Sequence, residues 1–343
     1  MAVKLCTIGS MMRDNLTPAQ RRARFLKLLD RPRVPLDPKF VGVASGMLVT
    51  ERGTFASEPG ERVPFLLQRP ADDKRKRPAV LVLHGTGGNK EGNKALLAEL
   101  AERGFVALAI DGRYHGERVP GGAKSTKEYN EAIFRAYQKP EPRPHPLYYD
   151  TVWDVLRAID FLQKHPAVDG NRIGVVGFSK GGIETWLAAA ADERIKVAVP
   201  AIAVQSLRWS LENEQWQARA NTVKDAHLAV ARELGKKEID AEVCRALWNK
   251  VLPGILNEFD CPQMLTAIAP RPLLILSGEK DPNCPLGGAK LAFAAAEQAY
   301  KKSKSTDRLK IDVAMGVAHK VTDEQRQLFV SWFVRWLKPE SPG

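Results

Sequence analysis

No stretch of the 343 residues approaches the roughly 18 consecutive apolar residues that a bilayer-spanning helix requires, which excludes a membrane span of that kind. Cysteine is scarce. Cys6, Cys244, Cys261 and Cys284 show no C-x-x-C spacing, so reduced thiols are expected rather than a disulfide framework or a zinc cluster. The first residues, MAVKLCTIGSMMRDNLTPAQ, lack the apolar core and small-residue cleavage site of a secretory signal, and the expected location is the cytoplasm. Internal repeats and low-complexity tracts are also missing. Basic charge is abundant, with a formal net of +12, but it is scattered. The densest cluster is Lys74, Arg75, Lys76 and Arg77 in an expected loop, and no helix-turn-helix, zinc-finger or aromatic RNP-like motif accompanies it. Charge without a reading element predicts a solvated surface and no nucleic-acid partner.

What is present is an alternation. Short runs rich in Val, Ile and Leu begin at Ala79, Phe105, Arg172, Lys196, Pro272 and Leu309, separated by stretches of helical period. That pattern predicts an α/β fold with a mostly parallel central sheet and helices on both faces. An earlier run from Val63 reads as an antiparallel edge strand. Val152, Leu156, Ile159 and Leu162 form one helical stripe, and Phe329, Phe333 and Trp336 another. Thr322 and Gln325 have capping-box spacing at the start of the last helix. Residues 1–60 read as an extension packed on the core, 61–203 and 269–339 as the core, and 204–268 as a helical cap insertion that overhangs the carboxyl edge of the sheet. Within the insertion, Val223 to Leu252 reads as a helix-like run.

Chemistry concentrates at GVVGFSKGG, residues 174–182. Gly177-Phe178-Ser179-Lys180-Gly181 matches G-x-S-x-G between an expected strand and an expected helix, the context in which a strained turn exposes a nucleophilic hydroxyl. A serine hydroxyl attacks only with a base to take its proton and a carboxylate to orient that base. Of six histidines, position favours His319, in the loop after the last strand. Asp281 follows the strand before it, and Asp111 is the rival carboxylate, whose bland reading is a loop cap. The chain order Ser179, Asp281, His319 is that of the α/β-hydrolase fold. The loop His84-Gly85-Thr86-Gly87-Gly88 lacks P-loop and dinucleotide-binding spacing; in a hydrolase it supplies one oxyanion N–H, from Thr86, and Lys180 supplies the other.

The segments LVLHGTGG, AIDGRYHGER, GVVGFSKGG, LLILSGEKD and GVAHK together resemble the α/β-hydrolase superfamily, and within it the dienelactone hydrolase, acetyl xylan esterase and prolyl oligopeptidase catalytic-domain group. The resemblance spans about residues 60–338. It implies acyl transfer through an acyl-enzyme, with the oxyanion hole at Thr86 and Lys180, and no metal or organic cofactor. Dienelactone hydrolases proper use a cysteine nucleophile; Ser179 departs from that and favours ordinary ester chemistry. Oligopeptidases place a β-propeller ahead of this core, and about 60 residues cannot form one.

The expected substrate is a small-molecule ester, a short acyl group on a polar or carbohydrate alcohol. Arg113, His115, Trp209 and Trp216 are candidate substrate-binding residues, with Tyr148 and Tyr149 beside them. Lys180, charged and next to the nucleophile, is expected to bias the pocket toward polar or anionic substrates. The alternatives are an oligopeptidase-like serine peptidase, an acyltransferase, and a catalytically silent hydrolase-like binding protein.

Overall fold

The computed structural model describes residues 16–44, 46–71, 75–120 and 126–339. Cys6 and Lys74 lie outside them. Among the described residues nine strands form one sheet: β1 (Lys39–Ala44), β2 (Leu48–Glu58), β3 (Glu61–Pro70), β4 (Arg77–Leu83), β5 (Val106–Ile110), β6 (Val168–Phe178), β7 (Ile195–Ala201), β8 (Leu273–Gly278) and β9 (Leu309–Ala314). The helices are α1 (Pro18–Leu29), α2 (Lys94–Glu102), α3 (Lys127–Gln138), α4 (Tyr149–Lys164), α5 (Lys180–Ala191), α6 (Leu207–Glu212), α7 (Gln217–Asn221), α8 (Lys224–Glu233), α9 (Ala241–Val251), α10 (Cys261–Leu265), α11 (Leu286–Lys302) and α12 (Asp323–Leu337). Among the described residues no helix is long and apolar enough to cross a membrane.

Strand order is β1-β2-β3-β5-β4-β6-β7-β8-β9, antiparallel as far as the β3–β5 pair and parallel from β5 to β9. The parallel strands are the six apolar runs of the sequence. They read as continuous apolar segments because both faces are covered: β4 and β5 are buried along their whole length. The chain leaves β4 toward β5 on one side and returns to β6 on the other. Loops diverge there, which opens a crevice at the carboxyl ends of β4 and β6.

Four expectations change. The strand at Val63 is antiparallel but interior, because β2 and β1 extend the sheet beyond it. Residues 39–58 of the expected extension are therefore strands of the same sheet. β2 alternates half-buried and buried residues along its length, the signature of a strand with one covered face, and meets β3 through the turn at Pro59-Gly60. The run from Val223 to Leu252 is two helices, α8 and α9, parted where Gly235 takes φ +71°. The insertion's helices α6–α10 stand between β7 and β8. Arg77, expected in a loop, opens β4 and is buried.

The stripe Val152, Leu156, Ile159 and Leu162 is the buried face of α4, and Phe329 and Phe333 are buried on α12. Thr322 and Gln325 do form a capping box: the Gln325 amide donates to Thr322 Oγ1 at 3.2 Å and the Thr322 amide to Gln325 Oε1 at 3.3 Å. Gln325 Nε2 also donates to Ser277 O at 3.1 Å, so the start of α12 is tied to β8 just beyond the His319 loop.

Candidate active site

The turn from β6 to α5 is made by Ser179 at φ 54° and ψ −113°. Such a conformation is unfavourable for a residue with a side chain, and it persists only where neighbouring structure over-determines it. Two glycines do so here. A Cβ on Gly177 would lie 2.1 Å from Gly181 O, and one on Gly181 would lie 2.4 Å from Leu83 O. Strand and helix thus meet at backbone contact, and Ser179 stands half-exposed above the helix N-terminus. Amides of that first turn have no partner within the helix and point toward the hydroxyl's surroundings.

His319 bridges the other two residues. Its Nδ1 lies 2.7 Å from Asp281 Oδ2 and its Nε2 lies 2.8 Å from Ser179 Oγ. With Nδ1–H donating to the carboxylate, Nε2 is left as the acceptor for the serine hydroxyl. Three residues separated by 38 and 140 positions in sequence are in hydrogen-bond contact. The Asp281 and His319 loops are held together by another close approach: a Cβ on Gly278 would lie 2.2 Å from Ala318 O. Asp281 is buried to exclusion of solvent and His319 keeps 22% of its side chain exposed, so the imidazole is open to the surroundings and the carboxylate is not. Asp281 Oδ1 accepts from the amides of Asn283 at 2.8 Å and Cys284 at 3.0 Å.

The rival Asp111 is used elsewhere. It accepts from Lys90 N at 2.8 Å, Lys90 Nζ at 2.9 Å and Glu117 N at 3.0 Å, which is the loop-capping role. The other histidines are engaged too: His145 Nδ1 faces Val251 O, His165 Nε2 faces Glu51, and His227 Nδ1 faces Val223 O.

The loop after β4 lies beside the serine. A Cβ on Gly85 would lie 3.3 Å from Phe178 O and 3.5 Å from Ser179 Cβ, which brings the Thr86 backbone to the same rim as the Lys180 amide. The loop is anchored by His84, whose Nδ1 faces Gly85 O at 2.8 Å and whose Nε2 accepts from Gly112 N at 3.0 Å. Burial, with help from the Lys180 charge, pushes His84 down to about 3 and keeps it neutral.

Lys180 itself is a correction. Its side chain is only 1% exposed, and its ammonium sits 2.6 Å from Glu184 Oε1, one turn along α5. The charges touch without good hydrogen-bond alignment. Burial raises the Glu184 carboxyl to about 7 despite that partner. A lysine turned inward cannot present charge to a substrate. Its side chain underpins the turn and only its backbone faces the cleft. Glu184 is legible at the lysine's i,i+4 position but was not expected.

Of the candidate substrate residues, Arg113 and His115 face inward as well. Arg113 donates to Asp154 Oδ2 at 2.9 Å and Oδ1 at 3.0 Å and pairs with Glu58; the two arginines Arg113 and Arg118 hold the buried Asp154 far below the usual carboxylate range. His115 is 1% exposed, packed between His84 (tilted) and Tyr129 (edge-on), with Nδ1 facing Arg113 O at 2.7 Å. Tyr149 is core, donating to Pro253 O and packed on Phe25. Trp216 is buried, its Nε1 donating to Glu214 at 3.3 Å. Trp209 lines an open cleft, about 590 Å³, bounded by Glu214, Gln215, Gln217, Lys280 and Asp281, whereas the clefts that Arg113 borders do not include Ser179, Asp281 or His319. Its indole fits against α11 because Gly287 has no Cβ: one would lie 2.4 Å from the ring.

Ligand atoms of Asp281, Cys284 and His319 lie within 4.8 Å of one another. This set suits a cation poorly. Burial pushes the Cys284 thiol up to about 12, and the Arg219 guanidinium is 2.9 Å from its sulfur.

The fold places Ser179 on the elbow between a parallel strand and its helix. Residues 64–236 match the dienelactone hydrolase family, and the chain belongs to it; it is a carboxylic ester hydrolase of the α/β-hydrolase fold. Over 290 residues it is 24% identical to a Bacillus subtilis (strain 168) protein named "Putative hydrolase YtaP", covering 81% of this chain and 84% of that one. Over 280 residues it is 25% identical to "Putative esterase YitV" of the same organism, covering 80% and 96%. Its backbone superposes on acetyl xylan esterase 1 from Thermoanaerobacterium sp. JW/SL YS485 with a TM-score of 0.66 and 18% identity, over 98% of this chain and 99% of that one. At that identity the likeness establishes the fold.

Proposed function

We propose that the chain is a serine esterase acting on small-molecule esters, with Ser179 as nucleophile, His319 as general base and acid, and Asp281 as the group that orients the imidazole. The observation that carries this reading is the His319 bridge, 2.7 Å to Asp281 and 2.8 Å to Ser179. His319 Nε2 takes the hydroxyl proton as Ser179 Oγ bonds to the ester carbonyl carbon. The carbonyl oxygen becomes an oxyanion held by the Thr86 and Lys180 amides. Collapse breaks the bond to the alcohol oxygen, which leaves with the proton from His319. Water then repeats the sequence on the acyl-enzyme and releases the acid and free Ser179.

The proposed substrate is a short acyl group on a polar or carbohydrate alcohol. Support comes from Trp209, a flat apolar face among glutamine and glutamate side chains in a cleft that reaches Asp281, a combination suited to a sugar ring. The acetyl xylan esterase that matches the whole chain in fold is named for a substrate of that kind. We assign the cytoplasm as its compartment, since Cys244, Cys261 and Cys284 are free thiols.

The test is p-nitrophenyl acetate turnover with fluorophosphonate labelling of Ser179, followed by an ester panel graded by acyl length. Turnover that falls steadily beyond acetyl and propionyl, with label on Ser179, is expected. Hydrolysis without that label refutes the nucleophile, and label without hydrolysis refutes water as the acceptor.

A further inference from the structure

Arg219 lies on α7, in the insertion, and is only 3% exposed. Burying a guanidinium is strongly unfavourable unless its donors are matched, and carboxylates are its usual partners. Among the described residues Arg219 forms no ion pair, and its Nε has no hydrogen-bond partner. Its Nη2 instead donates to Asn283 O at 3.1 Å and to Cys284 Sγ at 2.9 Å. Tyr148 lies beside it as well, and the groups it grips directly belong to the Asp281 loop.

The Asn283 carbonyl and the Cys284 N–H are two ends of one rigid peptide unit. Arg219 grips the carbonyl end; the amide end donates to Asp281 Oδ1 at 3.0 Å. The second oxygen of that carboxylate receives His319 at 2.7 Å. A second anchor runs through the sulfur: Cys284 S–H donates to Ile202 O at 3.1 Å, at the end of β7, and the sulfur accepts from Arg219. The guanidinium therefore reaches the imidazole through one peptide plane and one carboxylate.

We propose that Arg219 is a positioning residue for the reaction: from the cap it fixes the Asn283–Cys284 peptide, hence the rotation of the Asp281 carboxylate and the aim of His319 at Ser179. The proposal rests on the reading of these three residues given above. It makes the insertion part of the chemical apparatus as well as a cover over it. Misaiming a base by a fraction of an ångström slows the chemical step and leaves ground-state binding intact.

The test compares Arg219→Met, Arg219→Lys and Cys284→Ala with the unaltered chain by ester kinetics, by melting temperature, and by the far-downfield proton resonance of the His319 Nδ1–H held against Asp281. For Arg219→Met, kcat should fall about 10- to 100-fold with KM within about twofold, and the resonance should move upfield or broaden. Arg219→Lys, which keeps the charge and one donor, should restore part of kcat and of the resonance. Cys284→Ala removes one anchor with little change of volume, should lower kcat about threefold, and keeps the test decisive where Arg219→Met fails to fold. A folded Arg219→Met or Cys284→Ala with unaltered kcat and resonance overturns the proposal, as does a change confined to KM. The resonance needs no turnover, so an unaltered chain without activity would refute the esterase reading while the proposal still stood or fell on that line.

Discussion

Two pairs of an aspartate and a histidine leave the carboxyl edge of the sheet, Asp111 with His115 after β5, and Asp281 with His319 after β8 and β9. In composition they are equivalent, and both sit in loops with glycine and basic residues. Their surroundings make them opposites. Asp111 is filled by two amides and an ammonium, and His115 is sealed at 1% exposure with its Nδ1 on a carbonyl. Asp281 keeps one oxygen for an imidazole, and that imidazole reaches a hydroxyl at the cleft. A histidine locked neutral by burial braces a loop; one held by a carboxylate at the surface can carry a proton.

The sharpest way to break this contrast is at the hydroxyl: Ser179→Ala should lower kcat by at least about 10⁴-fold in an ester assay. Ser179→Gly should be equally inactive but melt higher, by about 1 to 3 kcal/mol of relieved strain at φ 54°. Next comes an exchange of roles. Asp281→Asn should cost about 10³- to 10⁴-fold in kcat with little loss of stability, whereas Asp111→Asn should destabilise by about 2 to 4 kcal/mol and leave kcat of the folded fraction near normal. The opposite pattern in chemical denaturation and rate would reverse the two loops. Arg113→Met leaves the buried Asp154 carboxylate with Arg118 as its remaining cation and should cost about 3 to 5 kcal/mol, read by urea unfolding, with KM unchanged. A raised KM in the folded protein would return Arg113 to the substrate.

Acid should separate the loops too. His84 is held at about 3 and His227 at about 4, against 6.5 when unfolded, and burial depresses His115 as well. Below pH 6.5 the unfolded chain binds protons that the folded chain refuses, so stability is lost as pH falls toward about 4, by roughly 1 kcal/mol per unit for each group. Glu184, raised from 4.5 to about 7, and Asp260, raised from 3.8 to about 6, act in the opposite direction between those values, but His84, His115, His145 and His227 outnumber them. Melting temperature should therefore fall steadily from pH 6.5 to 4. A flat profile would show that these side chains are not buried neutral. The smallest effect is expected at the rim: Trp209→Ala should raise KM several-fold for esters of sugar alcohols and leave p-nitrophenyl acetate untouched, about 1 kcal/mol of stacking.

Much of this site was legible from residues alone, and for definable reasons. The elbow needs G-x-S-x-G between a strand and a helix, and both neighbours carry clear periodicity. Thr322 and Gln325 announced the start of α12. Other signals were present but unread. Thr17-Pro18 with Gln20 marks α1, whose capping box forms, and Pro59-Gly60 marks the β2–β3 hairpin that moved the Val63 strand inward. Arg113, His115 and Lys180 misled because composition reports which groups are near a cleft and not which way they point.

The order of residues by itself determined the local matters: which runs become strands, where the serine must turn, and which histidine follows the last strand. Those depend on neighbours a few positions apart, where steric and hydrogen-bonding rules act directly. Only the tertiary structure decided which carboxylate meets which histidine, that Lys180 turns inward to Glu184, and that Arg219 reaches Asn283 in the Asp281 loop from 64 positions away. Burial and charge pairing are properties of the packed whole. The same pair of residue types becomes a loop brace or a bridge to a serine hydroxyl according to what closes over it.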